Sequence, residues 1–177
     1  MALQRVEING YGQLELNAVA FRRSGRIEAQ CRIADGIDYI ENGMLLAVNN
    51  VKRVVEKTAE GGVYPIALHY STEHMYDERA NALKNFRLDK NTVLPRMGYL
   101  GAGDKYTTNC LAYDDAKYAT ETELKAAVAA VATTPLYAHV CENGAHLIND
   151  VADKAIAIVL GETTMPDGQY AVKFQAL

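Results

Sequence analysis

The chain contains no tryptophan, only three cysteines, and no apolar run near the ~20 residues that a helix needs to cross a bilayer. Each shortage excludes something. Cys31, Cys110 and Cys141 are odd in number, far apart and outside any CxxC pair, so reduced thiols are expected rather than a disulfide framework. The opening MALQRVEING lacks the basic-then-apolar plan of a secretory signal, and synthesis in a cytoplasm is expected. Basic residues are also short: Lys+Arg 18 against Asp+Glu 22 leaves a net charge of −4, without the positive footprint of a protein that coats nucleic acid. Neither direct nucleic-acid binding nor a membrane partner is expected. The sequence shows no fixed-period repeat, low-complexity tract or linker.

What is present points to a folded β protein. At 177 residues, 49% apolar and 23% charged, the chain is long enough to bury a core, and residues 1–177 are expected to form a single β-rich domain. Eleven tyrosines supply rings that pack while the hydroxyl stays wet, which suits strand surfaces and interfaces. In RIEAQCRI, Ile27, Ala29, Cys31 and Ile33 alternate with polar residues, the period of a strand with one buried face. QLELNAVAF alternates as well, and with a turn at Ser24-Gly25 residues 13–33 are expected to form a hairpin.

Further strands are expected at about 3–8, 37–41, 44–48, 51–56, 63–70, 94–100, 105–112, 136–141, 155–160 and 169–175, between glycine-, asparagine- and proline-rich turns. The last pair flanks Met165-Pro166-Asp167-Gly168 and predicts a C-terminal hairpin. Many short strands at this spacing predict a mainly β fold, an antiparallel β-barrel or sandwich. TETELKAAVAAVATTP departs from the pattern. Its Leu124, Val128 and Val131 recur at helical spacing, Thr120 with Glu123 fits a capping box, and Pro135 ends the run, predicting a short α-helix over about 121–132. A second helical turn fits Asp77 to Lys84.

Several groupings carry chemistry-bearing side chains. HYSTEHMYDERANALKNF holds His69, Ser71, His74, Asp77 and Glu78. His69 and His74 fall on different elements, so they do not share a helix face as the pair of an HExxH motif does, and two ligands do not make a zinc site. Ser71 is outside any GxSxG elbow. In HVCENGAH, His139, Cys141 and His146 could converge on a metal across the Asn143-Gly144 turn, yet the alternation of LYAHVC also fits a satisfied core strand. GYLGAGDKYTTN places Lys105 before Tyr106 rather than Ser/Thr, so Gly98, Gly101 and Gly103 predict a turn and not a phosphate loop. Asp114, Asp115, Glu121 and Glu123 lack the spacing that wraps calcium. No catalytic, cofactor or metal residue is assigned, and no enzyme is expected.

Three blocks in order, IENGMLLAV at 40–48, ALHYSTEHMYDERANALKNFRLD at 67–89 and VLPRMGYLGAGDKYTTN at 93–109, resemble a family of small virion structural proteins of tailed bacteriophages. The resemblance spans the middle third to half of the chain and carries no catalytic residues. It implies a protein of the virion that assembles with the major capsid protein and with copies of itself, most simply a capsid decoration (cement) protein on the outer head. A tail-tube, neck or baseplate component is the alternative, and a small-ligand-binding barrel stands apart from both. Under this reading MALQRVEING, or the loop from Lys57 to Gly62, is a candidate arm that orders on its partner.

Overall fold

The computed structural model describes residues 2–58, 62–72 and 82–177. The first part contributes β1 (Leu3–Arg5), β2 (Leu14–Ala18), a single helical turn α1 (Phe21–Ser24), β3 (Ile27–Glu28), β4 (Arg32–Ile33), β5 (Tyr39–Ile40), β6 (Leu45–Asn49), β7 (Val54–Glu56) and β8 (Ile66–His69). After a 3-10 turn at Leu83–Asn85 come β9 (Leu88–Asp89), β10 (Met97–Gly98), β11 (Lys105–Thr108), β12 (Leu111–Asp114), α2 (Glu121–Ala129), β13 (Tyr137–Val140), β14 (His146–Asn149), β15 (Ala157–Thr164) and β16 (Tyr170–Ala176).

The strands build an eight-stranded sheet in the order β1-β12-β14-β13-β15-β16-β11-β2, a six-stranded sheet β3-β10-β8-β6-β7-β4, and the small pair β5-β9. The mainly β class holds. Of the two expected architectures the sandwich fits: the end strands β1 and β2 do not pair with each other among the described residues, so no barrel closes. Most pairs are antiparallel, but β12–β14 and β4–β7 run parallel.

β6 shows why two sheets are needed. All of LLAVN is buried; Leu45 joins one apolar cluster, while Leu46 and Val48, on the other face, join a second. A strand covered on both sides loses the apolar–polar alternation of a half-exposed one. Each fully buried leucine contributes about 1.5–3 kcal/mol relative to exposure. The first cluster is closed by α2, which rests on β15 through buried Leu124 and Val128. Its N-terminus is capped as its sequence predicts, the Thr120 hydroxyl accepting from the Glu123 amide at 3.3 Å. The Glu123 carboxylate reaches back one residue further than expected, to the Ala119 amide at 2.8 Å. The helix stops at Ala129, short of 132, because the backbone tightens there: Val131 N–H bonds the Val128 carbonyl.

The hairpin expected over 13–33 does not form. β2 pairs with β11 in the larger sheet and β3 with β10 in the smaller one. Phe21 explains the crossing: it is fully buried, its ring centroid lies 5.0 Å from that of Tyr70, and it fills the space above Gly98, where a Cβ would fall 2.5 Å from the ring. Gly25, at φ +70°, ends α1 and redirects the chain. Cys31 and Ile33 are buried as the alternation requires, whereas Ile27 and Ala29 are exposed. The strand expected at 105–112 is two strands, broken at Asn109-Cys110.

The N-terminal segment contributes an edge strand to the larger sheet. β1 pairs antiparallel with β12 and Val6 is buried. The loop from Lys57 to Gly62, and the helical turn expected at 77–84, fall largely outside the described residues. The C-terminal hairpin is present, closed by Met165 N–H to the Gln169 carbonyl at 2.8 Å with Gly168 at φ +85°.

Candidate functional site

The polar residues that the fold gathers lie between the sheets. Glu41, which follows β5, is 1% exposed, and its carboxylate accepts hydrogen bonds from both terminal guanidinium nitrogens of Arg5, one of them at 2.8 Å, and from the Gly12 amide at 2.6 Å. Arg5 belongs to the eight-stranded sheet and Glu41 leads into β6 of the six-stranded one, so the pair bridges the two. The next residues extend the seam. Asn42 donates to the Thr72 carbonyl at 2.5 Å, Gly43 N–H bonds the His69 carbonyl at 2.9 Å, and His69 N–H bonds the Met44 carbonyl at 2.8 Å.

From the opposite side, the Thr108 hydroxyl donates to the Gln13 carbonyl at 2.7 Å, and the Asn109 side-chain oxygen accepts from the Gln13 amide at 2.7 Å. Gln13 also donates to Asp167 at 2.9 Å, fastening the C-terminal turn. Described parts of the three sequence blocks singled out above therefore meet here: Glu41-Asn42-Gly43, His69 to Thr72, and Thr108-Asn109.

Gly43 shows how closely the blocks fit. Its φ is +83°, and a Cβ would lie 2.2 Å from the Thr108 hydroxyl oxygen. Gly43→Ala is expected to cost roughly 2–5 kcal/mol, combining left-handed strain with overpacking. Urea unfolding of the variant beside the parent checks this; a loss under ~1 kcal/mol contradicts so tight a seam.

His69 and Ser71 do come together. The His69 ring places Nδ1 2.7 Å from the Glu41 carbonyl oxygen and Nε2 2.6 Å from the Ser71 hydroxyl, which also accepts the Arg96 amide at 3.0 Å. Because a carbonyl only accepts, Nδ1 carries the proton and Nε2 accepts from Ser71. This is the donor order of a serine–histidine dyad. Burial, however, pushes the His69 imidazole down to about 4 despite its bond to Glu41, leaving it a weak base near neutrality. What the arrangement does well is hold the end of β8 to the backbone before β10. His74, Asp77 and Glu78 lie outside the described residues.

His139, Cys141 and His146 take separate partners. His139 Nε2 bonds the Val151 carbonyl at 2.8 Å, and the Cys141 thiol faces the Asn143 side chain and the Ala145 carbonyl. His146 Nε2 lies 3.0 Å from the Tyr106 hydroxyl and its ring stacks on Phe174 at 4.9 Å. Burial lowers His146 to about 4 and raises the Cys141 thiol to about 11 and the Cys110 thiol to about 12. Among the described residues no three His, Cys, Asp or Glu side chains are grouped to hold a metal.

The glycine loop is a turn built on Asp104, whose carboxylate accepts from the Gly101 amide at 2.9 Å and from the Ala20 amide at 2.7 Å. The acidic residues serve the backbone too: Asp114 accepts from Ala116, Asp115 from Ala2, and Glu121 from Glu7. No helix among the described residues is long and apolar enough to cross a membrane.

Sequence reasoning missed Glu41. Its signal was an acidic residue inside an apolar stretch, Ile40 to Val48, immediately before Asn-Gly. Its use could not be read, because Arg5 and Gly12 are distant in sequence.

Fold and seam together define a mainly β, sandwich-like protein whose buried polar side chains join its two larger sheets. Comparison with known proteins finds no matching family model, no matching curated protein and no matching solved structure.

Proposed function

We propose that this chain is a virion structural protein that binds the outer surface of a tailed-phage head as a decoration protein, with the major capsid protein and copies of itself as partners. One observation carries the reading. The blocks on which the phage resemblance rests supply the buried seam, where Glu41, Asn42, His69, Thr108 and Asn109 hydrogen-bond to other parts of the chain. Their role in this chain is architectural, the joining of two sheets, and calls for no substrate. A rigid β scaffold repeated over a symmetric shell multiplies weak contacts by avidity, which favours small folded modules of this kind.

Cryo-electron microscopy of the particle that carries the protein tests the proposal. Density on the outer head at regular lattice positions is expected. Stacked rings in a tail would overturn the head assignment, and absence from the particle would overturn the virion reading. A serine-reactive fluorophosphonate probe adds a chemical check: labelling of Ser71 that disappears in His69→Gln, in a variant that still folds, would instead mark the dyad as reactive.

A further inference from the structure

The turn between β6 and β7 holds two unfavourable residues, Val51 and Arg53, beside the ordinary turn formers Asn49 and Asn50. Asn49 accepts the Lys52 amide at 3.0 Å and closes it, yet the tip is Val51, 86% exposed, and Arg53 sits at φ +56°. Glycine or asparagine is the ordinary occupant of a left-handed turn position, and polar residues are ordinary at a tip. Two departures in one short turn, on either side of Lys52, indicate that these side chains are kept for something other than the turn.

Arg53 faces a shallow cleft. Lys52 and Arg53 line it with Arg32, Gln30 and Leu94; Leu94 is 49% exposed and the adjoining Val93 65%. Part of the charge is already balanced, since Arg32 pairs with Asp35 at 3.0 Å and Asp35 also meets Lys90 at 3.2 Å, while Arg53 donates to the neutral Gln30 at 3.3 Å. A cluster of three cations on a chain of net charge −4 is complementary to an anionic partner. The aliphatic residues beside it narrow the choice. Leu94, which lines the cleft, and its exposed neighbour Val93 offer nothing to a phosphate backbone but would bury against aliphatic side chains, and the acidic remainder of the surface repels nucleic acid.

We propose that this cleft docks an acidic protein segment bearing aliphatic side chains and that, resting on the virion reading above, the segment belongs to the shell subunit.

The test uses the full chain and two variants, Lys52→Glu/Arg53→Glu and Arg53→Gly, the second of which removes the charge while relieving the backbone. Thermal melting establishes that both fold, and Arg53→Gly is expected to melt no lower than the parent. Fluorescence anisotropy then compares a labelled peptide alternating Glu with Leu, a Glu-Ser peptide and a short DNA duplex, at low and physiological salt. The Glu-Leu peptide is expected to bind best, with affinity falling at least about tenfold in both variants and on adding salt. Peptide binding that is absent, or equal in parent and variants, overturns the proposal, and so does preferred binding of DNA. Self-association lost in the same variants, without peptide binding, assigns the cleft to a contact between copies and also overturns it.

Binding to phage heads separates this inference from the reading beneath it. Heads that retain the parent but release the variants support both. Heads that bind parent and variants alike sink the docking cleft and leave decoration standing. Variant-sensitive peptide binding without any head binding supports the cleft chemistry and sinks the virion reading.

Discussion

Lowering the pH from 7 to 4 is expected to remove roughly 6 kcal/mol of folding stability through His69 and His146 alone. Both rings are fully buried, and burial lowers each to about 4. An unfolded histidine titrates near ~6.5. Between those values the unfolded chain binds protons that the folded chain refuses, so stability is fully present above the unfolded value, falls as pH drops through the window, and levels off below the folded value. A displacement of ~2.5 pH units corresponds to about 3 kcal/mol for each ring.

The surroundings explain the resistance. His69 Nδ1–H is committed to the Glu41 carbonyl and its Nε2 accepts from Ser71; His146 lies between the Cys110 carbonyl and the Tyr106 hydroxyl under Phe174. A second proton would force Ser71 or Tyr106 to turn its hydroxyl away. Glu41, the carboxylate whose charge acts on His69, is already engaged by Arg5 and Gly12. Asp35 and Asp150, held below the ordinary aspartate range by hydrogen bonds from Arg32 and Lys117, titrate largely beneath this window.

Urea unfolding at pH 7, 5.5 and 4 is the measurement, repeated for His69→Gln and His146→Gln. Each variant should be less stable at pH 7 but show a slope shallower by about one proton. Equal slopes in parent and variants would remove the histidines as the cause. Since a domain of this size holds only about 5–15 kcal/mol, the parent should be marginal at pH 4.

The second large effect is at Glu41. Glu41→Ala is expected to cost about 3 kcal/mol, the low end for a broken buried ion pair, because Arg5 keeps a 33% exposed side chain that water can reach. The loss comes chiefly from the Arg5 guanidinium and the Gly12 N–H left behind without their acceptor. The paired replacement Arg5→Met/Glu41→Leu should recover most of it, since two apolar side chains of similar volume remove both charges together. Chemical denaturation of the two single variants and the double variant measures the coupling. If the double variant loses as much as the singles combined, the pair is not what joins the sheets.

Particular residues show how far the sequence reaches. The C-terminal hairpin was legible because Pro166 and Gly168 encode its turn and both strands alternate, all within a short stretch. Helix α2 was legible for the same reason, its cap and its Leu124–Val128 stripe being local. The expected 13–33 hairpin failed because Phe21 finds its place against Gly98 and Tyr70, far along the chain. β14 went unseen because His146 supplies a polar letter in a strand core, and the letter becomes apolar in effect only once Tyr106 and Phe174 surround it. Ser71 and His69 were two positions apart in sequence, yet burial decided the basicity of the ring.

By itself, then, the order of residues determined the mainly β class, the capped helix, the final hairpin and the absence of a CxxC or Walker pattern, because periodicity, turn chemistry and capping act over a few neighbouring positions. Tertiary structure alone decided which strand joins which sheet, that no barrel closes, and that Arg5, Gly12, Glu41 and His69 share one buried seam. Those outcomes depend on apolar contact and desolvation between segments far apart in the chain, and neither quantity exists until the sheets have packed.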